Sequence, residues 1–146
     1  MSGKSFFNLK IHDYLSWVMK KLLLWLCANA LIPSFWTILT IVLLCIPGSD
    51  FPSDGTFGFQ VDGLDKVVHV ILFGGIVLFW GFYIKRSANP RKQREILLIV
   101  LSTIALGIAL EFVQLYFIPD RSFDKWDIVA DSGGAILIGI YHLYLR

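Results

Sequence analysis

The chain has 146 residues, 56% of them hydrophobic and 16% charged, with a mean hydropathy of +0.68, against roughly 25% charged in an ordinary soluble domain. That composition argues against a soluble monomer. A formal net charge of only +2, from 13 Lys+Arg and 11 Asp+Glu, leaves no basic surplus for gripping nucleic acid, so that class of partner is excluded.

In chain order, the first 21 residues form a charged leader in which Ile11, Tyr14, Leu15, Val18 and Leu22 recur at helical spacing beside Trp17 and Lys10, Lys20 and Lys21. This pattern predicts a short amphipathic helix lying on a membrane surface, or an extension of the first span. An apolar run then extends over 22–46, and it continues past the A-x-A-like Ala28-Asn29-Ala30, so an uncleaved span is expected rather than a secretory signal. Cys27 and Cys45 lie at opposite ends of that run, too far apart on one helix to bridge, and no CxxC motif is present. The stretch 48–63, with Pro52, four glycines and three phenylalanines, reads as a loop whose aromatics rest on the membrane surface. Further apolar runs cover 67–84, 96–118 and 128–145, with Asn89-Pro90 read as the N-cap and first turn leading into the third. Each run can cross a hydrocarbon core of ~30 Å at ~1.5 Å per residue. The expectation is a single all-α domain over 1–146, an integral membrane four-helix bundle.

Loop charge sets its orientation. Lys4, Lys10, Lys20, Lys21, Lys85, Arg86, Arg91, Lys92, Arg94 and Arg146 fall on one side with only Asp13 and Glu95. The other side holds Lys66, Arg121 and Lys125 against seven aspartates, at 50, 54, 62, 65, 120, 124 and 127. By the positive-inside rule both termini are cytoplasmic and the acidic loops face outward.

Polar residues inside the apolar runs concentrate near the outward ends of the last three helices. Asp65 and His69 are i and i+4, with Lys66 between them; Glu111 and Gln114 are i and i+3; Asp127 and Asp131 are i and i+4, followed on the same face by Gly134. Counted along antiparallel helices, His69, Glu111 and Asp131 lie at similar depth, roughly 6 to 10 Å beneath the outer interface. Facing lipid, such groups cost about 2.5 to 3.5 kcal/mol each on insertion scales, so they are expected to face one another. The structural alternative is that they tie neighbouring helices together, and that Asp65 and Asp127 serve as caps or first-turn carboxylates. Gly74, Gly75, Gly81, Gly107, Ala135 and Gly139 read as close-packing positions.

The order Asp65-Lys66-x-x-His69, Glu111-x-x-Gln114, Pro119-x-Arg121 and Asp127-x-x-x-Asp131-x-x-Gly134, over residues 64–140, resembles the VanZ-like family of small bacterial membrane proteins. The sequence departs from that pattern with Asp131 where the family often has Asn, and Asp120 where a Gly commonly precedes the Arg. The resemblance implies a multi-pass protein of the bacterial cytoplasmic (inner) membrane and offers Asp65, Lys66, His69, Glu111, Gln114, Arg121, Asp127 and Asp131 as site residues. The family's founding member is associated with low-level resistance to the glycopeptide teicoplanin. With four carboxylates against Lys66 and Arg121, the cluster is acidic by two charges when His69 is neutral, a balance that calls for protons, a divalent cation or a cationic ligand. No dedicated cofactor is evident. A lipid phosphate can meet Arg121 and Lys66 once that excess is offset.

Two functions fit. One is a binding or transport-type factor that engages an envelope lipid, glycan precursor or amphiphilic antibiotic at the outer leaflet. The other is an intramembrane hydrolase or transferase with catalytic candidates His69, Glu111 and Asp131, Arg121 acting as an anion clamp. Ser122 and Ser132 are poorly placed as nucleophiles, and the binding factor is the favoured expectation.

Overall fold

A computed structural model describes residues 17–19, 21–22, 25–47, 63–86 and 90–144, and those residues contain helices and no strand. Of the expected leader over residues 1–21, residues 1–16 lie outside them and residues 17–19 and 21–22 are helical; residues 48–62 of the expected aromatic loop and the Asn89 cap also lie outside them. Four helices carry the architecture: α1 (Leu31–Leu44), α2 (Leu64–Arg86), α3 (Lys92–Phe117) and α4 (Lys125–Tyr144). By length and composition α2 and α3 can each cross a membrane.

The apolar run 22–46, expected as one span, is divided. Residues 25–26 are helical, residues 27–30 turn, and α1 starts only at Leu31, leaving a helix of 14 residues. Local chemistry explains the break. The Asn29 Oδ1 accepts the Leu31 amide at 3.1 Å, a side-chain bond that competes with a continuous helix. Pro33 has no N–H to donate and is accommodated in the first turn of α1, where none is needed.

The other boundaries arise from end chemistry, and α2, α3 and α4 each begin a few residues before their apolar runs. α2 begins after Gly63, whose φ of 90° is open to glycine, carries Asp65 in its first turn and ends with Lys85 and Arg86, charges matched to the helix dipole. The Lys92 ammonium donates to the Lys85 carbonyl at 2.9 Å, tying the end of α2 to the start of α3. α3 stops at Phe117 because Ile118 precedes Pro119 and takes an extended conformation, φ −107° and ψ 119°. α4 is capped by Asp124, whose Oδ1 accepts the Trp126 amide at 2.8 Å.

Short connections make α2, α3 and α4 successive antiparallel neighbours. α2 and α4 share the most extensive contact, α3 packs against both, and α1 lies mainly on α2. Backbones approach closely at Gly134, where any Cβ would strike the Val70 carbonyl. α1 is fastened by hydrogen bonds from the Trp36 indole to the Leu72 carbonyl, 3.0 Å, and from the Trp80 indole to Thr37 Oγ1, 3.2 Å. The interior divides into one apolar cluster around Leu44, Leu72, Phe73, Ile76 and Leu110 and a second around Val77, Val100 and Ala135. Outward faces stay apolar, with Phe35, Ile38, Ile71, Leu101 and Leu137 each more than half exposed.

Candidate functional site

The site lies where the C-terminal end of α1, the first turns of α2 and α4, and the last turns of α3 converge. Asp65, Lys66 and His69 share the opening turns of α2, and Asp127 and Asp131 share those of α4. Packing of α2 on α4 therefore sets one polar series against the other. The Lys66 ammonium donates to three carboxylates, Asp65 Oδ2 at 2.8 Å, Asp124 Oδ2 at 2.6 Å and Asp127 Oδ1 at 2.5 Å. Its three N–H bonds are matched one to each carboxylate. Among the described residues no three His, Cys, Asp or Glu side chains form a metal-holding group.

One turn further in, His69 Nδ1 lies 2.9 Å from Asp131 Oδ1, and its Nε2 lies 3.7 Å from Asp127 Oδ2. The linked side chains grade from interior to surface: Asp131 is 2% exposed, His69 5%, Asp127 12%, Lys66 29% and Asp65 61%. Asp131 fits this deep because α3 offers Gly107, where a Cβ would come within 2.8 Å of Asp131 Oδ2. On one side of His69 the Phe73 ring stacks nearly parallel, with centroids 6.4 Å apart.

Glu111, 1% exposed, sits one turn beyond Gly107 on α3. Its Oε2 accepts the backbone amide of Asp124 at 2.8 Å. Asp124 consequently joins three parts: its amide is held by α3, its Oδ1 caps α4 and its Oδ2 meets Lys66 of α2. The Lys66 ammonium, with the Trp126 amide beside it, holds the Asp124 carboxyl below the usual carboxylate range. Gln114 is equally buried, and its amide donates to the Leu44 carbonyl at 2.8 Å, while Arg121 Nε donates to the Ile46 carbonyl at 3.3 Å. Both bonds reach backbone groups at the end of α1 that the helix itself leaves open. Asp120, where the family pattern commonly has Gly, adopts φ 57°, a left-handed conformation that Asp tolerates better than most residues.

Beside this network is a cavity of about 370 Å³ lined by Leu43, Leu44, Leu64, Val68 and Leu72 together with Asp65, His69 and Arg121. The lining is mostly hydrocarbon and includes side chains of both signs of charge. Leu43, Leu64 and Val68 also belong to the exposed apolar surface, so the cavity opens sideways.

Of the eight residues proposed from sequence, Asp65, Lys66, His69, Asp127 and Asp131 form one continuous chain of contacts. Glu111 joins that chain through Asp124, and Gln114 and Arg121 secure the α1 end. Sequence reasoning missed Asp124, for which an Asp directly before the fourth helix was the available cap signal. It also missed the α1 carbonyls and a second buried histidine, His142, whose Nε2 lies 3.1 Å from the Leu78 carbonyl.

Among known proteins, the VanZ/LLP1 family profile matches residues 5–145, essentially the whole chain, and the protein belongs to that family. Neither a curated protein nor a solved structure matches it.

Proposed function

We propose that this protein is a four-span resident of the bacterial cytoplasmic membrane, with both termini in the cytoplasm, that takes an amphiphile from the outer leaflet into the cavity beside His69. The class covers an envelope lipid, a lipid-linked glycan precursor and an amphiphilic antibiotic, the last in keeping with a glycopeptide-resistance role. The carrying observation is the mixed lining: leucines and a valine, of which Leu43, Leu64 and Val68 also belong to the exposed apolar surface, together with Asp65, His69 and Arg121. Small-molecule sites combine an apolar body with a few placed polar groups in this way. Exposed Tyr116, Phe117 and Trp126 near the site, and Tyr141 and Tyr144 at the other end, support two interfacial aromatic belts.

Native mass spectrometry of the protein purified from membranes tests the reading. A retained amphiphile is expected, and it should be lost in Arg121→Gln; a wild-type protein that retains none overturns the proposal. Orientation is tested with single cysteines in a background lacking Cys27 and Cys45: positions 54 and 122 should label from outside intact cells and position 89 should not. Reversed labelling would put the site on the cytoplasmic face.

A second reading, an intramembrane hydrolase or transferase acting on a lipid-linked substrate, is favoured by the 2.9 Å pairing of His69 with Asp131. A carboxylate that orients an imidazole beside a cavity is the arrangement of a general base. Conversion of the retained amphiphile by wild type but not by His69→Gln separates catalysis from binding.

A further inference from the structure

We infer that the amphiphile seats one long hydrocarbon chain along α2, and that a second hollow between α1 and α4 holds the far half of that chain and sets its length. This rests on the reading of the cavity beside His69 as an amphiphile site and assigns the ligand's tail.

Leu64, Val68, Ile71, Gly75 and Leu78 follow one another along α2 at steps of four, three, four and three, the spacing of a single helix face. Asp65, Lys66 and His69 fall on other faces of the helix. Leu64 and Val68 line the cavity and belong to its open side. Ile71, Gly75 and Leu78 line a second hollow, about 340 Å³, walled by Trp36 of α1 and by Leu137 and Ile138 of α4. Leu64, Val68 and Ile71 are all between 44% and 57% exposed, so the stripe stays open from one hollow to the other. A Cβ at Gly75 would strike the Trp36 indole, so wall and floor meet there with no side chain between them. The next position at this spacing, Phe82, is 1% exposed with its ring against His142, and it closes the stripe.

Length and volume select the occupant. From Leu64 to Leu78 the helix rises about 21 Å at ~1.5 Å per residue. An extended carbon chain advances roughly 1.2 Å per bond, as three backbone bonds advance ~3.6 Å, so about seventeen bonds cover the stripe, those of an eighteen-carbon chain. A twelve-carbon chain reaches only about 13 Å, between Ile71 and Gly75, and leaves the far part of the second hollow empty. An extended chain about 4 Å across displaces on the order of 200 Å³ over the ~14 Å from Val70 to Phe79, which the hollow holds. A helix from a second copy, ~10 Å across, would displace on the order of 1,000 Å³ over the same length and is too large for it. Because bilayer and groove are equally apolar, a chain gains only close packing on entering, and a preference for length reports fit rather than hydrophobicity.

The test uses the full chain in nanodiscs of one bulk phospholipid, doped with equal amounts of lysophospholipids that share a headgroup and differ only in their saturated chains, read by native mass spectrometry of retained lipid. Wild type should retain the eighteen-carbon over the twelve-carbon probe by about fivefold, from packing of the far half of the chain. A twenty-two-carbon probe should gain nothing over the eighteen-carbon one. Ile71→Trp places a large side chain at an exposed point of the stripe and should bring the ratio to parity, whereas Leu101→Trp, similarly exposed on α3, should leave it as in wild type. A second readout needs no substitution in the stripe: an eighteen-carbon probe brominated beyond mid-chain should quench the Trp36 fluorescence, taken as the difference between wild type and Trp36→Phe, more than one brominated near the headgroup. A wild-type ratio at parity, retention still rising at twenty-two carbons, a preference unmoved by Ile71→Trp, or equal quenching by the two brominated probes would overturn the chain subsite while leaving an amphiphile site in place. A dimer that Ile71→Trp converts to monomer would give the hollow to a second copy and overturn it likewise. Retention of none of the probes, nor of any other amphiphile, would overturn both readings.

Discussion

Among the described residues two histidines are buried to nearly the same degree, His69 at 4% and His142 at 1% whole-residue exposure, and their surroundings differ in kind. His69 stands between two carboxylates and opens on a cavity. His142, near the far ends of α2 and α4, has one nitrogen on the Leu78 carbonyl, a buried Nδ1 with no hydrogen-bond partner among the described residues, and aromatic edges from Phe82 and Tyr141 around its ring. Gly81 leaves the room that ring occupies, since a Cβ there would strike it. Between the two histidines lies the apolar layer of Val77, Val100 and Ala135. Burial of an ionisable side chain therefore says little by itself about chemistry. What separates a reactive end from a packed end is the charge its neighbours present.

The sharpest way to break this contrast is His69→Leu. The buried Asp131 would lose the imidazole 2.9 Å away, and Asp127 would lose its second neighbour. Removing one partner of a buried charged pair costs about 3 to 5 kcal/mol. The expected readout is a large fall in thermal midpoint in detergent, with partial recovery in His69→Leu/Asp131→Asn, because a buried amide is less costly than a buried carboxylate. A wild-type midpoint in the single variant would show that the two histidines are equivalent packing groups.

Next in size is Lys66→Met, which leaves Asp65, Asp124 and Asp127 converging without their shared cation. Because Lys66 is 29% exposed, a loss nearer about 2 kcal/mol is expected than the full cost of a buried pair. The pH dependence carries a definite sign. Lys66, with the Trp126 amide, lowers the Asp124 carboxyl below its unfolded value, so its contribution is present above the ordinary carboxylate range and is lost as pH falls through the depressed value. Thermal midpoints measured from neutral pH downward should show a smaller acid-side loss in Lys66→Met than in wild type, because the contribution that acid removes is already absent. Coincident acid profiles would remove Lys66 as the organiser of this end.

Much of this end is legible from spacing alone. The i, i+4 pairs Asp65/His69 and Asp127/Asp131 fix which side chains share a helix face, and the cost of turning them to lipid aims those faces at one another. Other parts leave no trace in the pattern of residue types. The carbonyls of Leu44 and Ile46 that receive Gln114 and Arg121 are backbone groups, identical in every sequence. Asp124 looks like one more loop acid, because its importance depends on the chain doubling back so that its amide meets Glu111, thirteen residues earlier. The division of the run 22–46 falls at Asn29 and Pro33, interruptions visible in the sequence but outweighed there by the apolar residues on either side. His142 sits among apolar residues at a helix end, where periodicity gives no reason to single it out.

Glu111 tests whether the contrast extends to α3. Its Oε2 holds the Asp124 amide, and a glutamine oxygen can accept the same bond, so Glu111→Gln should keep the thermal midpoint near wild type. Glu111→Leu removes the acceptor and should cost about 1 to 3 kcal/mol, as expected for an unsatisfied buried group. If the carboxylate's charge is also used with ligand, Glu111→Gln should abolish amphiphile retention despite its stability. Retention equal to wild type in the Gln variant would assign this residue to holding the loop alone.

The smallest effect is expected at the packed end. His142→Leu surrenders a bond to the Leu78 carbonyl, but that oxygen also receives its own helix bond from four residues on. The substitution also removes the buried Nδ1 that has no partner among the described residues. A net bond worth about 0.5 to 1.5 kcal/mol is thus set against the desolvation of an unsatisfied nitrogen of similar size, and the thermal midpoint should move little in either direction. Amphiphile retention should be unchanged, since the layer of Val77, Val100 and Ala135 lies between this residue and the cavity. A fall as large as that of His69→Leu would mean that the far end depends on its imidazole as much as the near end does, and the distinction drawn from neighbouring charge would fail at the place where it is clearest.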